Sequence, residues 1–231
     1  MDTLVSYRLD QSIATITLDD GKVNALSPAM LSQIGAALDR ATADRATVVL
    51  TGRQGVWSAG FDLALLRGGG PGAQAMLRGG FELAERLLGF PWPVVIACPG
   101  HAVAMAVFLL LSGDYRIAAA GPYKITANEV AIGFTMPEAA IAICRHRLAP
   151  AHFHRAVVLA EVYAPDEAVA AGFVDRVVPV GELAEAARAT AARLAALDMT
   201  AHAQTKLRAR EPVLRALRAA IEASAGISPH G

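Results

Sequence analysis

Residues 94–112 read VVIACPGHAVAMAVFLLLS. The length of the unbroken apolar stretch within this run decides between a membrane-spanning helix and the buried core of an α/β protein. Pro99, Gly100 and His101 interrupt the apolar residues, and the unbroken run Ala102–Leu111 is only ten residues long. A bilayer-spanning helix needs about 20 apolar residues. We therefore predict a buried strand, a turn and a helix that is buried on every side.

The segments on either side of this run alternate between strand and helix patterns. Ser27-Pro28 opens a helix as a cap followed by a first-turn proline. Strands alternate with helices early and give way to helices after about Pro137, which argues for an α/β fold with a helical C-terminal part. The predicted elements are strands at Leu4–Leu9 and Ser12–Leu18, a helix over 28–41, a strand at Thr47–Thr51, a helix over 73–89, a strand at Pro93–Ala97, strands at Asp114–Ala119 and Pro122–Thr126, and a short strand at Phe173–Val178.

Two glycine-rich segments are predicted as loops. Gly52–Asp62 contains glycines that allow tight backbone turns, and such loops often carry active-site backbone. Gly68–Gly72 reads GGGPG and is predicted as a flexible surface connection. It lacks the Lys-Ser/Thr that a phosphate-binding loop needs, so we do not expect it to hold phosphate.

The length of 231 residues suits one folding unit. No composition break or low-complexity linker asks for a second one. We expect a core over residues 1–180 and a helical C-terminal region over residues 181–231, both within the same folding unit.

Charge composition excludes some partners. Lys plus Arg and Asp plus Glu number 21 each, so the chain lacks the global positive charge that underlies binding to nucleic acid or to anionic membranes. Met1-Asp2-Thr3 has no basic segment leading into an apolar run, so we expect no signal peptide and a cytoplasmic protein.

The cysteines and histidines show no metal-ligand spacing. Cys98 and Cys144 both lie in apolar surroundings and are predicted to be small core residues. His152 and His154 are two positions apart, so a helix would point them to different faces, and no third ligand is evident. We predict no metal site.

Several motifs, in this order and spacing, resemble the enoyl-CoA hydratase/isomerase (crotonase) family over most of the chain. One such motif would be weak support, but all of them together are specific. They are Val23-Asn24-Ala25-Leu26, Val56-Trp57-Ser58-Ala59-Gly60-Phe61-Asp62-Leu63, the run from Pro93 through Gly100 to Asp114-Tyr115-Arg116-Ile117, Asn128-Glu129-Val130-Ala131-Ile132-Gly133, and Ala170-Ala171-Gly172-Phe173-Val174-Asp175.

This resemblance implies a crotonase-like spiral of β-β-α units with a helical C-terminal oligomerisation region, and a homotrimer or homohexamer. The substrate implied is an acyl-CoA thioester, with no cofactor besides the coenzyme A that the substrate carries. Removing the alpha proton of a thioester gives an enolate, whose oxygen two backbone N–H groups can stabilise. The resemblance assigns these donors to Ser58 and Met105, whose nitrogens we expect to converge on the thioester oxygen.

The resemblance also implies residues that bind the substrate. Lys22 and Lys206 are candidates for the coenzyme A phosphates, and a solvated surface lysine is an equal alternative for each. The aspartate matching Asp114 is structural in the family. The predicted substrate-binding residues are Lys22, Asn24, Ala25, Ala59, Gly60, Phe61, Phe108 and Lys206.

The sequence departs from the family pattern at the expected oxyanion donor. Ala104-Met105-Ala106 stands where the family usually has a run of glycines. A backbone donor needs permissive dihedral angles and space rather than glycine itself. The alternative is that Met105 only fills the core from an apolar helix.

A second departure concerns the acid/base groups. Family hydratases resemble one another in carrying two glutamates. The first of these positions is Phe108 here, which cannot transfer a proton, and the second is Glu129. An apolar neighbourhood would raise the pKa of Glu129 toward neutrality. This pattern is similar to that of 3,2-trans-enoyl-CoA isomerases, in which one carboxylate moves a double bond.

Other interpretations stay open at this stage. Glu129 would instead be a surface carboxylate capping a short helix, with Glu138 or Asp62 as reserve bases. A separate alternative is a non-catalytic acyl-CoA-binding paralogue, which Phe108 and the missing glycine run favour and the retained Glu129 argues against. Hydration, thioester hydrolysis and decarboxylation are further reactions that enolate chemistry allows.

Overall fold

The first part of the chain forms an antiparallel hairpin, a helix and a parallel strand. Ser27 caps the helix, because its side chain accepts a hydrogen bond from the Met30 amide at 3.2 Å. The computed structural model describes residues 2–224. Its first elements are β1 (Val5–Asp10), β2 (Ile13–Leu18), α1 (Pro28–Ala43) and β3 (Thr47–Thr51).

Three successive strand pairs follow one pattern, in which the first strand joins a large sheet and the second joins a small one. A helical segment follows each pair. β3 is thus followed by β4 (Gly55–Ser58), α2 (Leu63–Gly68) and α3 (Gly70–Gly89); then come β5 (Val94–Cys98), β6 (Gly100–Val103) and α4 (Met105–Leu111), and then β7 (Tyr115–Ala119) and β8 (Ile125–Thr126).

The remaining chain is mainly helical, as predicted. A 3₁₀ helix (Val130–Ile132) precedes α5 (Glu138–Arg147), α6 (Pro150–Val158), α7 (Pro165–Ala171), β9 (Arg176–Val178), a 3₁₀ helix (Val180–Glu182), α8 (Leu183–Ala195) and α9 (Met199–Ser224). α8 packs against β2, β3, β5 and β7, and α9 packs against α3 and α5. Residues 225–231, the end of the predicted C-terminal region, lie outside the described residues.

The two sheets have the order β1-β2-β3-β5-β7-β9 and β4-β6-β8. Apart from the β1–β2 hairpin, the strand pairs are parallel. The alternation of the chain between the sheets is the predicted spiral of β-β-α units, which confirms the predicted fold class.

The small sheet depends on a close contact between two backbones. A Cβ atom placed on Gly100 would lie 2.0 Å from the carbonyl carbon and oxygen of Gly55. Because no real Cβ tolerates such a distance, only glycine allows β4 and β6 to pair in this register.

The core fills both faces of the large sheet. All seven residues of α4 are buried, which confirms the predicted all-apolar helix. Cys98 and Cys144 are buried free thiols, as predicted for small core residues. Burial raises the pKa of the Cys98 thiol to about 12 and raises the pKa of the Cys144 thiol as well. Within residues 2–224, no helix is long and apolar enough to cross a membrane.

Some local predictions were wrong. β4 occupies four residues of the segment predicted as a loop, and β6 occupies the predicted turn before α4. Both strands gain their hydrogen bonds from partners distant in sequence, which a local pattern does not reveal. Gly68–Gly72 is also no free loop, because α2 ends at Gly68 and α3 begins at Gly70.

Asp114 is the centre of a buried ion cluster. Its carboxylate accepts a hydrogen bond from the Val94 amide at 2.7 Å and pairs with Lys206 Nζ at 2.7 Å and Arg210 Nη2 at 2.8 Å. This agrees with the structural role expected for Asp114. The prediction that Lys206 binds coenzyme A phosphates was wrong, because the Lys206 side chain is 3% exposed and its charge is paired inside the protein.

The C-terminal region leaves less apolar surface than its sequence suggests. Of its large apolar residues, Leu183, Leu214, Leu217 and Ile221 are buried within the chain. Leu197 and Leu207 remain half exposed. Most of these large apolar side chains therefore pack within the chain.

We predict that Asp114→Asn lowers the free energy of unfolding by roughly 3–5 kcal/mol, because it leaves Lys206 and Arg210 without their counter-charge in a buried site. Glu82→Gln is the matched control, since it breaks the exposed ion pair with Arg78, which is worth less than about 1 kcal/mol. Urea unfolding of both variants measures the difference. Equal, small losses would show that the cluster is not important for stability.

Candidate active site

The ends of the three small-sheet strands meet at one edge. β4 ends at Ser58, β6 at Val103 and β8 at Thr126. Because these strands are parallel, the segments that follow them leave the sheet on the same side. Ala59, Ala104 and Glu129 come from these three segments and line one cavity of about 310 Å³.

The loop after β4 lies directly against the start of α4. Gly60 has a φ of +87°, and a Cβ on it would lie 2.8 Å from the Val103 carbonyl oxygen and 3.3 Å from the Met105 nitrogen. The Gly60 carbonyl also accepts a hydrogen bond from the Leu26 amide at 2.8 Å. The structure thus places Gly60 of this loop against the Met105 amide, and the convergence of the Ser58 and Met105 nitrogens stays a prediction.

The amides of this loop differ in whether they already donate a hydrogen bond within the protein. The Ala59 amide donates to the Val23 carbonyl at 3.0 Å, and the Gly60 amide donates to Ser58 Oγ at 3.1 Å. Ser58 itself is fully buried and pairs with Ala102 in the β4–β6 ladder. Phe61 forms an isolated parallel bridge with Leu26, and the Met105 amide is in the first turn of α4, where N–H groups lack helical partners.

Ala104 adopts a backbone conformation that favours glycine. Its φ and ψ are 53° and −128°, immediately before α4. A non-glycine residue in such a region costs about 1–3 kcal/mol and is typical of functional sites. The chain therefore keeps, at the cost of strain, a backbone turn for which the family usually has glycine.

Glu129 projects into an apolar environment. Burial raises the pKa of its carboxyl from an ordinary value of 4.5 to about 7. Its Oε2 atom is buried and has no hydrogen-bond partner among the described residues. Glu129 precedes a 3₁₀ helix but makes no side-chain capping bond to it, so the alternative of a surface capping carboxylate was wrong.

Phe108 lies on α4 and is 1% exposed, with its side chain on the same cavity. Of the cavity-lining side chains in the part of the chain that the structure describes, Glu129 is the one that can ionise. The two reserve bases, Asp62 and Glu138, do not line this cavity. Asp62 caps α2 by accepting hydrogen bonds from the Ala64 and Leu65 amides, and Glu138 is exposed in the first turn of α5.

Residues 22–25 lie beside the loop that follows β4, but their environments differ. Lys22 is exposed and Ala25 is half buried. Asn24 is fully buried, and its side chain donates to the Leu18 and Trp57 carbonyls at 3.0 Å each. The prediction that Asn24 binds substrate was therefore wrong for its side chain, which instead fixes the position of this segment.

Several cavity residues were not predicted from the sequence. Asn128 lines the cavity, and its Oδ1 atom is buried without a partner among the described residues. Its place beside Glu129 in the motif was the available signal. The apolar wall was not predicted, because its residues come from α2, α3 and the segment after β8, which meet only in the folded chain. The wall includes Leu63, Leu66, Leu77, Phe81, Ile132 and Phe134. Within residues 2–224, no group of three or more His, Cys, Asp or Glu residues is placed to hold a metal ion.

Known proteins resemble this chain over almost its full length. An apo enoyl-CoA isomerase from Mycobacterium tuberculosis is 48% identical with a TM-score of 0.94, covering 97% of this chain and 99% of that one. An enoyl-CoA hydratase from Mycobacterium marinum is 45% identical with a TM-score of 0.93, covering 96% and 98%. The mitochondrial enoyl-CoA delta isomerase 1 of Homo sapiens is 29% identical over 88% of this chain and 69% of its own length.

The family model described as enoyl-CoA hydratase/isomerase matches residues 8–229. These relatives carry both isomerase and hydratase names, and the solved structures share the fold of this chain. The chain therefore belongs to the enoyl-CoA hydratase/isomerase family, the crotonase superfamily of enzymes.

Proposed function

We propose that this enzyme isomerises 3-enoyl-CoA to 2-enoyl-CoA, with Glu129 as the base that both removes and returns the proton. The Glu129 carboxylate takes a proton from C2, and the C–H electron pair forms the enolate of the thioester. The protonated carboxyl then returns the proton to C4 as the double bond moves from C3–C4 to C2–C3. No other reactant is consumed.

The observation that carries this proposal is the pairing of Glu129 with Phe108 in one apolar cavity. A base with a pKa of about 7 can take and return a proton near neutral pH. The family resemblance places Phe108 at the first of the two positions at which hydratases carry a glutamate. One carboxylate is sufficient to isomerise, whereas concerted hydration uses two.

The enolate oxygen needs backbone donors. We propose the Met105 amide as one donor, supported by its place at the start of α4. For the second donor, Ser58 is the candidate from the family resemblance. Each such donor is typically worth a hundredfold or more in rate.

The thioester and coenzyme A would approach along the loop segments. We propose that Ala59, Gly60 and Phe61 contact the thioester and that Lys22 and Ala25, on the neighbouring segment, contact coenzyme A. The Ala59–Val23 and Ser58–Asn24 hydrogen bonds hold these two segments together. Coenzyme A belongs to the substrate, and the proposed reaction requires no other cofactor.

Two alternatives are favoured by specific observations. The partnerless Asn128 oxygen beside Glu129 would accept a hydrogen bond from a water, which favours hydration of 2-enoyl-CoA. Phe108 and the absent glycine run favour an acyl-CoA-binding paralogue without catalysis. Thioester hydrolysis and decarboxylation are further reactions that a site of this kind would allow.

We also propose that the protein is a homotrimer or homohexamer, as the family resemblance implies. Residues on and around α6 and α7 carry exposed apolar side chains that an interface would cover. Leu159 is 63% exposed, Val162 51% and Val158 48%.

Glu129→Gln is expected to lower isomerisation of 3-enoyl-CoA by at least about a thousandfold while acyl-CoA affinity changes little, because glutamine keeps the size of the side chain but accepts no proton. Glu138→Gln is the matched control and should retain wild-type turnover. The assay follows 2-enoyl-CoA formed from 3-enoyl-CoA and, separately, hydration of 2-enoyl-CoA.

Each outcome of this assay separates the hypotheses. Isomerisation without hydration supports the proposal, and hydration without isomerisation assigns the hydratase reaction. Binding with neither reaction assigns the non-catalytic paralogue. Full turnover by Glu129→Gln would place the base elsewhere.

Glu129→Gln should also make stability less dependent on pH. The folded-state pKa of about 7 is above the ordinary value of 4.5. The stabilisation from the neutral carboxyl is therefore complete below the lower pKa and is lost as pH rises through the higher one. Above that range, we expect the variant to be more stable than wild type by roughly 1–3 kcal/mol. Urea unfolding at about pH 5 and about pH 8 tests this; the same difference at both would contradict it.

Light scattering at working concentration tests the oligomer. We expect the mass of three or six chains. Leu159→Asp, which places a charge in the proposed interface, should shift the distribution toward smaller species, and a wild-type monomer would refute the assembly.

A further inference from the structure

The cavity that holds Glu129 has an open rim and a closed aromatic floor. At the rim, Leu63, Ile132 and Phe134 are 44%, 39% and 37% exposed. At the floor, Phe81 and Phe108 are 6% and 1% exposed. An acyl chain that enters from solvent therefore passes an apolar rim and ends against aromatic rings.

The floor is part of the packed core. The rings of Phe81 and Phe108 stack with centroids 6.2 Å apart and an interplanar angle of 24°. Both rings belong to the main hydrophobic cluster, so neither can move aside without repacking its neighbours. The cavity is thus fixed in depth rather than extensible.

A third aromatic ring depends on a glycine in α3. A Cβ on Gly80 would lie 2.4 Å from Phe61 Cζ, 2.6 Å from Phe61 Cε1 and 3.4 Å from Met105 Cε. Glycine inside a helix is otherwise unfavourable. Because Gly80 has no side chain, the Phe61 ring has space to sit against α3, close to the start of α4.

We infer that Phe61, Phe81 and Phe108 together limit the acyl chain to short and medium lengths, and that Gly80 is the positioning residue that holds the Phe61 ring in place. This inference rests on the proposed acyl-CoA function. The cavity volume of about 310 Å³ is at the lower end of the range of about 300–1,000 Å³ for small-molecule sites. A long chain would have to displace the stacked pair.

The test measures chain-length preference in two independent ways. The first is kcat/KM for 3-hexenoyl-, 3-decenoyl- and 3-hexadecenoyl-CoA. The second is the Kd of the saturated hexanoyl-, decanoyl- and hexadecanoyl-CoA thioesters, which requires no turnover. The variants are Phe81→Ala, Phe81→Leu, Phe108→Ala and Gly80→Ala. Gly79→Ala is the matched control, because a Cβ there meets only Leu31 Cδ1, at 3.7 Å.

Wild type should prefer the hexenoyl and decenoyl chains. Phe81→Ala and Phe108→Ala should raise the preference for the hexadecenoyl over the hexenoyl chain about tenfold or more, with a smaller change in Phe81→Leu. Phe81→Leu keeps the test valid if the alanine variants fail to fold. Gly80→Ala should raise KM for 3-decenoyl-CoA and Kd for decanoyl-CoA about tenfold, with a smaller change in kcat, because the added methyl group pushes the Phe61 ring into the cavity.

The control and the overturning results are distinct. Gly79→Ala should change KM and Kd by less than about twofold. A wild type that prefers the hexadecenoyl chain would overturn the inference. So would a chain-length preference that stays unchanged in folded Phe81 variants. If no 3-enoyl-CoA is isomerised but the Kd values follow the expected order, the proposed reaction fails and the chain-length limit stands.

Discussion

The contact between the backbones of Gly55 and Gly100 is the constraint on which the site depends. It allows β4 and β6 to pair, and β8 then pairs with β6. The small sheet holds the ends of its three strands at one edge, and every proposed element of catalysis follows one of those ends. The loop after β4 contains the proposed thioester contacts, the start of α4 contains a proposed amide donor, and the segment after β8 contains the proposed base. The large sheet and its helices supply the packing that holds this arrangement.

The proposed reactivity of this site depends on groups that the fold leaves without hydrogen-bond partners and on one strained turn of the backbone. Glu129 has a buried oxygen without a partner, Ala104 has a strained backbone, and the first amide of α4 has no helical acceptor. Each of these features reduces stability. The apolar core offsets these costs. The same apolar walls that destabilise a charged carboxylate make it a base suited to neutral pH.

The sequence predicted the elements whose signals are local. The hairpin, α1, β3, α4 and the helical C-terminal part were found from periodicity and caps, and Glu129 and Phe108 were found from motif positions. β4 and β6 were missed because their hydrogen bonds join distant segments. Lys206 and Asn24 were misassigned because residue type alone does not reveal that a lysine is paired with Asp114, or that an asparagine side chain serves buried carbonyls. The cavity that holds Glu129 was not predictable, since it forms between α2, α3, α4 and the segment after β8 only after they pack.

The two buried thiols have a consequence for following the motions of this protein. The thiolate is the form that reacts with alkylating reagents, and burial suppresses it at both cysteines. Alkylation therefore requires that the surrounding element first opens. Cys98 is on the central strand β5, whereas Cys144 is on α5, near enough to Glu129 for the carboxylate to affect its thiol. The native chain thus contains two chemical reporters, one for the opening of the sheet and one for the opening of the helix beside the base.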